Sequence, residues 1–190
     1  MLAYVFWHRP YSTTTAKQYE EALLRFQQHL RQQDPPGFRG TASFRVTALP
    51  WLGNRAGYED WCLLDGSWAL DPLNSFAVAG PVTSAHDAAA AQMEEGHGGL
   101  YALVWGEPVL PERSTAIWLT RPRGIQWRLV LDTVRQQFPQ TTLWRRQMVL
   151  GPGKEFGLIA PPGVEIAAPS GWSALSIERV RVDGSPVTPL

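Results

Sequence analysis

Period-two alternation gathers polar side chains on one side of three predicted strands, which cover residues 2–7, 41–49 and 58–64. The members of this polar set, one of which directly follows the first strand, are Tyr4, His8, Ser43, Arg45, Tyr58 and Asp60. Imidazole, guanidinium, hydroxyl and carboxylate groups on one face can bind a small molecule and exchange a proton with it. This face is therefore the candidate site.

Within the polar set, three residues have complementary chemistry. A carboxylate can orient an imidazole and favour its charged form, so His8 and Asp60 are the candidate catalytic residues, with His8 moving a proton. Arg45 would hold a carboxylate or an enolate-like oxygen, and Tyr4 and Tyr58 are further candidate ligand-binding residues. A structural alternative stays open, because buried charges are usually paired: Arg45 and Asp60 pair across neighbouring strands while His8 caps a strand end.

The opposite side of the same strands is apolar. It consists of Ala3, Val5, Trp7, Phe44, Val46, Trp61 and Leu63. We expect this apolar side to pack against helices, which leaves the polar set facing the space between two sheets. A ligand in that space would touch His8, Arg45 or Asp60, and tyrosine or tryptophan side chains, including Trp118, would form the walls.

The other histidines and the single cysteine are weak candidates for metal binding. His86 or His97 could ligate a heme or a metal ion, but no two histidines have ligand spacing, and His29 lies on a polar helix face. The single cysteine, Cys62, excludes a multi-thiolate zinc site and an internal disulfide bond. The sequence therefore predicts no cofactor and no metal.

Composition limits the expected partners. Basic and acidic residues number 17 each, so the net charge is zero, and neither nucleic acid nor a membrane surface is an expected partner. A neutral chain has little self-repulsion, which permits self-association. The first apolar run ends at Pro10 and is too short for a signal peptide or a membrane span, which favours a cytoplasmic protein. The nine tryptophans either fill layers between sheet and helices or line a ligand cavity.

The elements that position these residues follow the order β-α-β-β-α-β in the first half. The first helix has an apolar face formed by Tyr19, Leu23, Phe26 and Leu30. Residues 68–80 are predicted to be irregular, and a short helix at 88–93 is expected to end at the glycines of 96–99. The fourth strand is predicted at 100–105.

The second half repeats features of the first. Residues 3–10 and 115–122 are both apolar strands that end in Arg-Pro, and 155–159 is similar to 60–64. Four strands and one helix are predicted, at 115–120, 125–138 (the helix), 142–150, 155–159 and 174–182. Residues 164–171 have no helical period, so this half is expected to lack its second helix. The predicted domains are 1–107 and 114–190, joined by a proline-containing linker.

The element order of each half resembles the ferredoxin-like unit, and the chain resembles the dimeric α+β barrel superfamily, in which two such units join their sheets into a barrel. The resemblance lies in element order across most of the chain and in no specific motif. It implies an α+β fold of tandem ferredoxin-like units with mostly antiparallel sheets. That superfamily includes heme-binding chlorite dismutase-like proteins, cofactor-free monooxygenases, small-molecule isomerases and members without known activity, so it leaves function open.

Two classes of function follow from these observations. In the first, the chain is a small-molecule-binding protein or a cofactor-independent enzyme that uses a pocket between two sheets. In the second, it is a non-catalytic structural or protein-interaction domain. A barrel interior lined by His8, Arg45 and Asp60 would favour the first class, and an interior filled with tryptophan would favour the second.

Overall fold

The computed structural model describes residues 1–164 and 171–182. In chain order the elements are β1 (Leu2–Pro10), α1 (Ala16–Gln33), β2 (Phe38–Leu49), β3 (Arg55–Leu64), α2 (Leu70–Val78), α3 (Thr83–Ala90), β4 (Met93–Trp105), β5 (Arg113–Thr120), α4 (Trp127–Gln137), β6 (Thr142–Arg146), β7 (Phe156–Ala160) and β8 (Ser173–Arg181). Short 3-10 turns at Pro50–Leu52 and Ser67–Ala69 precede β3 and α2. Among these described residues, no helix is long and apolar enough to cross a membrane.

The strands close into one barrel in the order β1-β3-β2-β8-β5-β7-β6-β4, and each neighbouring pair is antiparallel. This confirms the predicted α+β fold with mostly antiparallel strands. The first four strands have the order β4-β1-β3-β2, and the last four have the order β8-β5-β7-β6. Two seams join these sets, between β2 and β8 and between β4 and β6. The internal duplication and the domain boundary stay predictions.

Large aromatic side chains fill the inside of the barrel. Trp7, Trp61, Trp118 and Trp144 are fully buried there. The ring of Trp7 meets that of Trp118 at a centroid distance of 5.2 Å and an interplanar angle of 74°. An eight-stranded barrel is just wide enough for side chains to fill, and indoles supply the necessary volume. The expectation that the side of β1 carrying Trp7 packs against helices is therefore wrong, because this side faces the barrel interior.

One ion pair lies within the aromatic interior. Arg179 of β8 places Nη1 2.7 Å from Oε1 of Glu59 on β3, and both side chains are fully buried. Glu59 also accepts hydrogen bonds from the indole nitrogens of Trp7 at 2.8 Å and Trp61 at 2.7 Å. Burial lowers the pKa of Arg179, and the Glu59 carboxylate opposes that shift. The pair links the first four strands to the last four across the core.

Helices cover the outside of the barrel. α1, α2 and α3 pack over the outer side of β1 and β3, and α4 packs over β5 and β7. α1 begins at a capping box, in which the Thr15 hydroxyl accepts a hydrogen bond from the Gln18 backbone and the Gln18 side chain accepts one from the Thr15 backbone. The predicted apolar face of this helix is the face that is buried, from Tyr19 to Leu30.

Several segments differ from the predictions. The short helix predicted at 88–93 is α3 at Thr83–Ala90, and the strand predicted at 142–150 ends at Arg146. Residues 68–80 were predicted to be irregular but contain α2. Pro72 is compatible with this helix because it lies in the first turn, where a missing N–H breaks no hydrogen bond. The glycines at 96–99 do not end a helix but lie inside β4. Gly98 makes room for Tyr4, since a Cβ there would lie 2.8 Å from the Tyr4 hydroxyl. The expected absence of a helix at 164–171 falls largely on 165–170, outside the described residues.

Candidate functional site

A cavity of about 460 Å³ lies between the outer side of β1 and β3 and the helices α1, α2 and α3. Its volume and its mainly apolar walls are typical of small-molecule sites. On the sheet side its polar or ionisable residues are Tyr4, His8, Asp60 and Cys62. On the helix side they are Tyr19, Asp71, Asn74 and His86. We call this space the helix–sheet cavity.

His8 lies at the sheet side of the helix–sheet cavity and is only 1 % exposed. Its Nδ1 is 2.6 Å from the hydroxyl of Tyr19, and its ring stacks on those of Phe6 and Tyr58 at centroid distances of 5.1 and 5.7 Å. Burial raises the pKa of Tyr19, so this hydroxyl stays protonated and donates a hydrogen bond to Nδ1. A neutral His8 ring then carries its hydrogen on Nε2.

Asp60 approaches His8 from the neighbouring strand. Its Oδ2 lies 3.2 Å from His8 Nε2, which is an ion-pair distance, although hydrogen-bond geometry is not met. Its Oδ1 accepts a hydrogen bond from Ser43, whose hydroxyl oxygen accepts one from the amide of Gln27 on α1. The Asp60 side chain keeps 13 % exposure. Ser43 holds Oδ1, while Oδ2 faces His8 without a hydrogen bond from it and can accept one from a ligand.

Tyr4 and Cys62 complete the polar groups on the sheet side. Burial raises the pKa of Tyr4 to about 12, and the nearby Cys62 and Asp60 add to this shift. Burial also raises the pKa of the Cys62 thiol to about 12, although a hydrogen bond with Thr41 opposes it. Both groups are therefore neutral at physiological pH. Tyr4 can donate a hydrogen bond to a ligand oxygen without bringing charge into the cavity.

Three other predicted site residues lie away from this cavity. Arg45 donates to Glu20 of α1 from Nε at 2.5 Å and from Nη2 at 2.6 Å, and about half of its side chain is exposed. Tyr58 stacks on His8, but its hydroxyl donates to the same Glu20 at 3.0 Å. Trp118 lies inside the barrel. None of the three is among the described residues that line the helix–sheet cavity.

The position of the cavity corrects the expectation of a pocket between two sheets. Closure of the barrel places the apolar side of the strands inside, where bulky indoles fill the space. The polar set consequently lies on the outer side, where α1 supplies Tyr19 to His8 and Glu20 to Arg45. The barrel interior is filled with tryptophan, and a cavity that contains His8 and Asp60 also exists, but on the other side of the same sheet.

Four residues of the cavity were not predicted from the sequence to belong to the site: Tyr19, Phe26, Asp71 and His86. A signal for Tyr19 and Phe26 was present, because the helical period had already placed both on the apolar face of α1. No comparable signal existed for Asp71, since the segment that carries it was predicted to be irregular. His86 was considered only as an isolated ligand, whereas it lines the cavity and has its Nδ1 3.0 Å from Asp87.

The residues of the helix–sheet cavity do not suit a heme or a metal ion. Among the described residues, no group of three or more His, Cys, Asp or Glu side chains could hold a metal. Heme propionates are anionic, and the described lining contains neither Lys nor Arg. Because His8 accepts from Tyr19 at Nδ1, its Nε2 carries the hydrogen and has no lone pair for a heme iron.

Comparison with known proteins identifies a fold but no family. No protein-family model matches the sequence, and no curated protein matches it. Solved structures of similar fold do exist, and they span nearly the whole chain.

A proposed monooxygenase from Lactobacillus acidophilus NCFM has a TM-score of 0.62 at 8 % identity, covering 100 % of this chain and 97 % of its own. A proposed monooxygenase from Fusobacterium nucleatum has a TM-score of 0.65 at 8 % identity, covering 96 % and 92 %. An anthrone oxidase-like protein has a TM-score of 0.54 at 9 % identity, covering 98 % and 93 %. At such identities the similarity shows the fold alone, which is that of an α+β barrel.

Proposed function

We propose that the chain is a cofactor-independent enzyme that binds a largely apolar small molecule in the helix–sheet cavity and removes a proton from it. Asp60 is the base, and His8 is a positioning residue. One observation carries this proposal: a carboxylate with one oxygen left for a ligand borders a cavity of about 460 Å³, 3.2 Å from a buried imidazole. The proposed monooxygenases and the anthrone oxidase-like protein of similar fold support small-molecule chemistry on such a barrel.

The proposed step is a proton transfer to Asp60. A carboxylate acts as a general base when it lies within hydrogen-bond reach of the proton that is removed. A ligand C–H or O–H directed at Oδ2 would give its proton to the carboxylate, and the bonding electrons would stay on the ligand. The Tyr4 hydroxyl would donate a hydrogen bond to the ligand oxygen on which the negative charge develops. The resulting carboxylic acid then returns a proton to the ligand or to water.

The remaining network would keep Asp60 in place for this step. Ser43 donates to Oδ1 and is itself held by the Gln27 amide, while Tyr19 sets the hydrogen of His8 on the nitrogen that faces Oδ2. Rigid support of this kind matters because a base that is displaced by about 1 Å loses much of its effect.

The test uses 2-tetralone, a neutral bicyclic ketone with acidic C–H groups beside its carbonyl. NMR in D₂O follows the replacement of these hydrogens by deuterium. We expect the wild-type protein to exchange them about 10²–10⁴ times faster than Asp60→Asn, which is the range for general-base catalysis. His8→Gln keeps the base but loses its orientation, so we expect an intermediate rate and an altered pH profile.

The matched control is His29→Gln, which changes an exposed histidine of α1 that does not line the described cavity. It should exchange 2-tetralone at the wild-type rate. Thermal unfolding of every variant separates loss of the base from loss of the fold. Equal exchange rates for the wild type and a folded Asp60→Asn would contradict the proposed function.

The second candidate, a non-catalytic interaction protein, is favoured by a different observation. Met148 and Val149, in the loop between β6 and β7, are 81 % and 82 % exposed. Neighbouring exposed apolar side chains are typical of interaction sites. This function predicts that exchange of 2-tetralone does not depend on Asp60.

The identical strand order of the two halves supports a further part of the proposal, namely that 1–107 and 114–190 are tandem ferredoxin-like units that arose by duplication. We propose a small molecule as the main partner of a cytoplasmic protein that can self-associate. The zero net charge supports the view that nucleic acid and membrane surfaces are not partners.

A further inference from the structure

The helix–sheet cavity contains carboxylates but, among its described lining residues, no side chain with a permanent positive charge. Two carboxylates, Asp60 and Asp71, line it, and its described lining contains no Lys or Arg. Tyr4, Tyr19 and Cys62 add no charge, because burial raises their pKa values. Of the described lining groups, only the imidazoles of His8 and His86 can become positive.

The arginines on nearby strands are engaged outside the cavity. Arg45 pairs with Glu20 at 2.5 Å, and Arg9, which follows His8 on β1, pairs with Glu95 at 2.9 Å. To neutralise a ligand anion, either guanidinium would have to leave its own carboxylate. The cavity therefore has no ready source of a fixed positive charge.

The helix that borders the cavity does not supply one either. The positive end of a helix dipole often binds an anion, and α2 begins at the cavity. However, Asp71 lies in the first turn of α2 and places a negative charge at that end. A carboxylate or phosphate there would be repelled by this side chain.

We propose that the helix–sheet cavity selects uncharged apolar molecules with an acidic C–H or O–H hydrogen, and that it excludes carboxylates, sulfonates and phosphates. The acidic hydrogen is directed at Oδ2 of Asp60, and the apolar body packs against Phe6 and Phe26. An anion placed beside an existing carboxylate in an apolar cavity is unfavourable, because it loses its water and finds no counter-ion. This inference rests on the proposed function and names the substrate class of the same site.

The test compares 2-naphthol with 2-naphthoate, which share one ring system but differ in charge at neutral pH. Isothermal titration calorimetry on the full chain measures both dissociation constants. We expect 2-naphthol to bind at least about tenfold more tightly than 2-naphthoate. Asp60→Asn should shrink this ratio, because it removes both the acceptor for naphthol and the charge that repels naphthoate.

The matched control is Asp132→Asn, which neutralises an exposed carboxylate on α4 and should leave the ratio unchanged. Equal or tighter binding of 2-naphthoate would overturn the charge selection, and so would failure of the protein to bind either probe. The deuterium exchange of 2-tetralone decides the proposed function separately, so failure of the inference and failure of the function can be distinguished.

Discussion

The two central strand pairs of the barrel present different residues to the helices that cover them. Beside the helix–sheet cavity of about 460 Å³, β1 and β3 carry Tyr4, Phe6, His8, Asp60 and Cys62. Beneath α4, β5 and β7 carry Ile117, Leu119, Phe156, Leu158 and Ala160. The cavity in this second layer is only about 20 Å³. Apolar residues therefore fill the layer between the barrel and α4. A layer between strands and helices in this fold consequently does not require an imidazole and a carboxylate.

This difference supports the location of the proposed site. Replacing two buried polar partners by apolar residues of similar shape can be nearly neutral or stabilising. Proteins depart from the most stable choice of residue mainly at functional sites. The pair formed by His8 and Asp60 is such a departure, and the layer beneath α4 provides the internal reference.

The largest expected effect comes from giving β1 and β3 the apolar character of β5 and β7. In the double variant His8→Leu/Asp60→Leu, we expect exchange of 2-tetralone to fall about 10²–10⁴-fold, because the base is gone. The free energy of unfolding in urea should change by no more than about 3 kcal/mol, because the apolar replacements are offset by the Tyr19 and Ser43 hydroxyls, which lose their acceptors.

The reverse change serves as the control for this prediction. Leu158→Asp in β7 places an unpaired carboxylate beneath α4, and we expect it to lower the free energy of unfolding by about 3–5 kcal/mol. If the double leucine variant were less stable than the wild type by more than about 3 kcal/mol, the comparison would fail, because the polar pair would then be needed for folding.

The second prediction concerns the interior that both sets of strands share. Glu59→Gln leaves the Arg179 guanidinium buried without a counter-charge, so we expect a loss of about 3–5 kcal/mol in urea unfolding. Because the seams between β2 and β8 and between β4 and β6 still join the two sets of strands, the variant should still unfold in one transition. Two separate transitions would show that the halves are stabilised independently.

The third prediction tests whether the missing side chain at Gly98 keeps the helix–sheet cavity open. Gly98→Ala would bring a Cβ to 2.8 Å from the Tyr4 hydroxyl and push this ring into the helix–sheet cavity. We expect calorimetry to show about tenfold weaker binding of 2-naphthol, equivalent to about 1.4 kcal/mol. Unchanged affinity in the folded variant would mean that Tyr4 does not limit the width of the cavity.

The smallest expected effect comes from Arg45→Ala. Arg45 holds the pKa of Glu20 below its usual range through a hydrogen bond. Since the folded-state pKa is depressed, this stabilisation is present above the unfolded value of about 4.3 and is lost as pH falls through the folded value. Arg45 is half exposed, so the variant should lose less than about 1 kcal/mol at neutral pH.

Two measurements check this last prediction. Urea unfolding of the wild type and of Arg45→Ala should give stabilities that converge in acid. Calorimetry should show unchanged affinity for 2-naphthol, because Arg45 is not among the described lining residues. Weaker binding by this variant would mean that the Arg45 guanidinium contributes to the site after all. The cavity would then have to extend beyond α1.

Alternation in the sequence predicted which residues share a strand face, but not which face lies inside. That choice depends on closure of the sheet at the seams between β2 and β8 and between β4 and β6, which no local pattern reports. The positions of the tryptophans did indicate which face lies inside. Trp7 and Trp61 share the strand face of the apolar residues, and the interior of a closed barrel needs side chains of this volume.

Of the residues that form the site, only those on the sheet were predicted from the sequence. His8 and Asp60 come together because β1 and β3 are neighbours, as the element order had implied. Arg45 could not be excluded in advance, because its partner Glu20 comes from α1 and the position of that helix over the sheet was unknown. The helix-side residue Asp71 was missed because Asp-Pro-Leu-Asn is also a typical turn sequence.

The seams of the barrel also constrain how the chain can be made. During synthesis β1 to β4 leave the ribosome first, and their outer strands β2 and β4 then have open edges until β8 and β6 pair with them. Trp7 and Trp61 stay uncovered over the same interval, and long-range strand pairing is slow. β8 ends at Arg181, so translation must pass this residue before the barrel can close. We therefore expect a nascent chain that depends on protection from aggregation until β8 emerges.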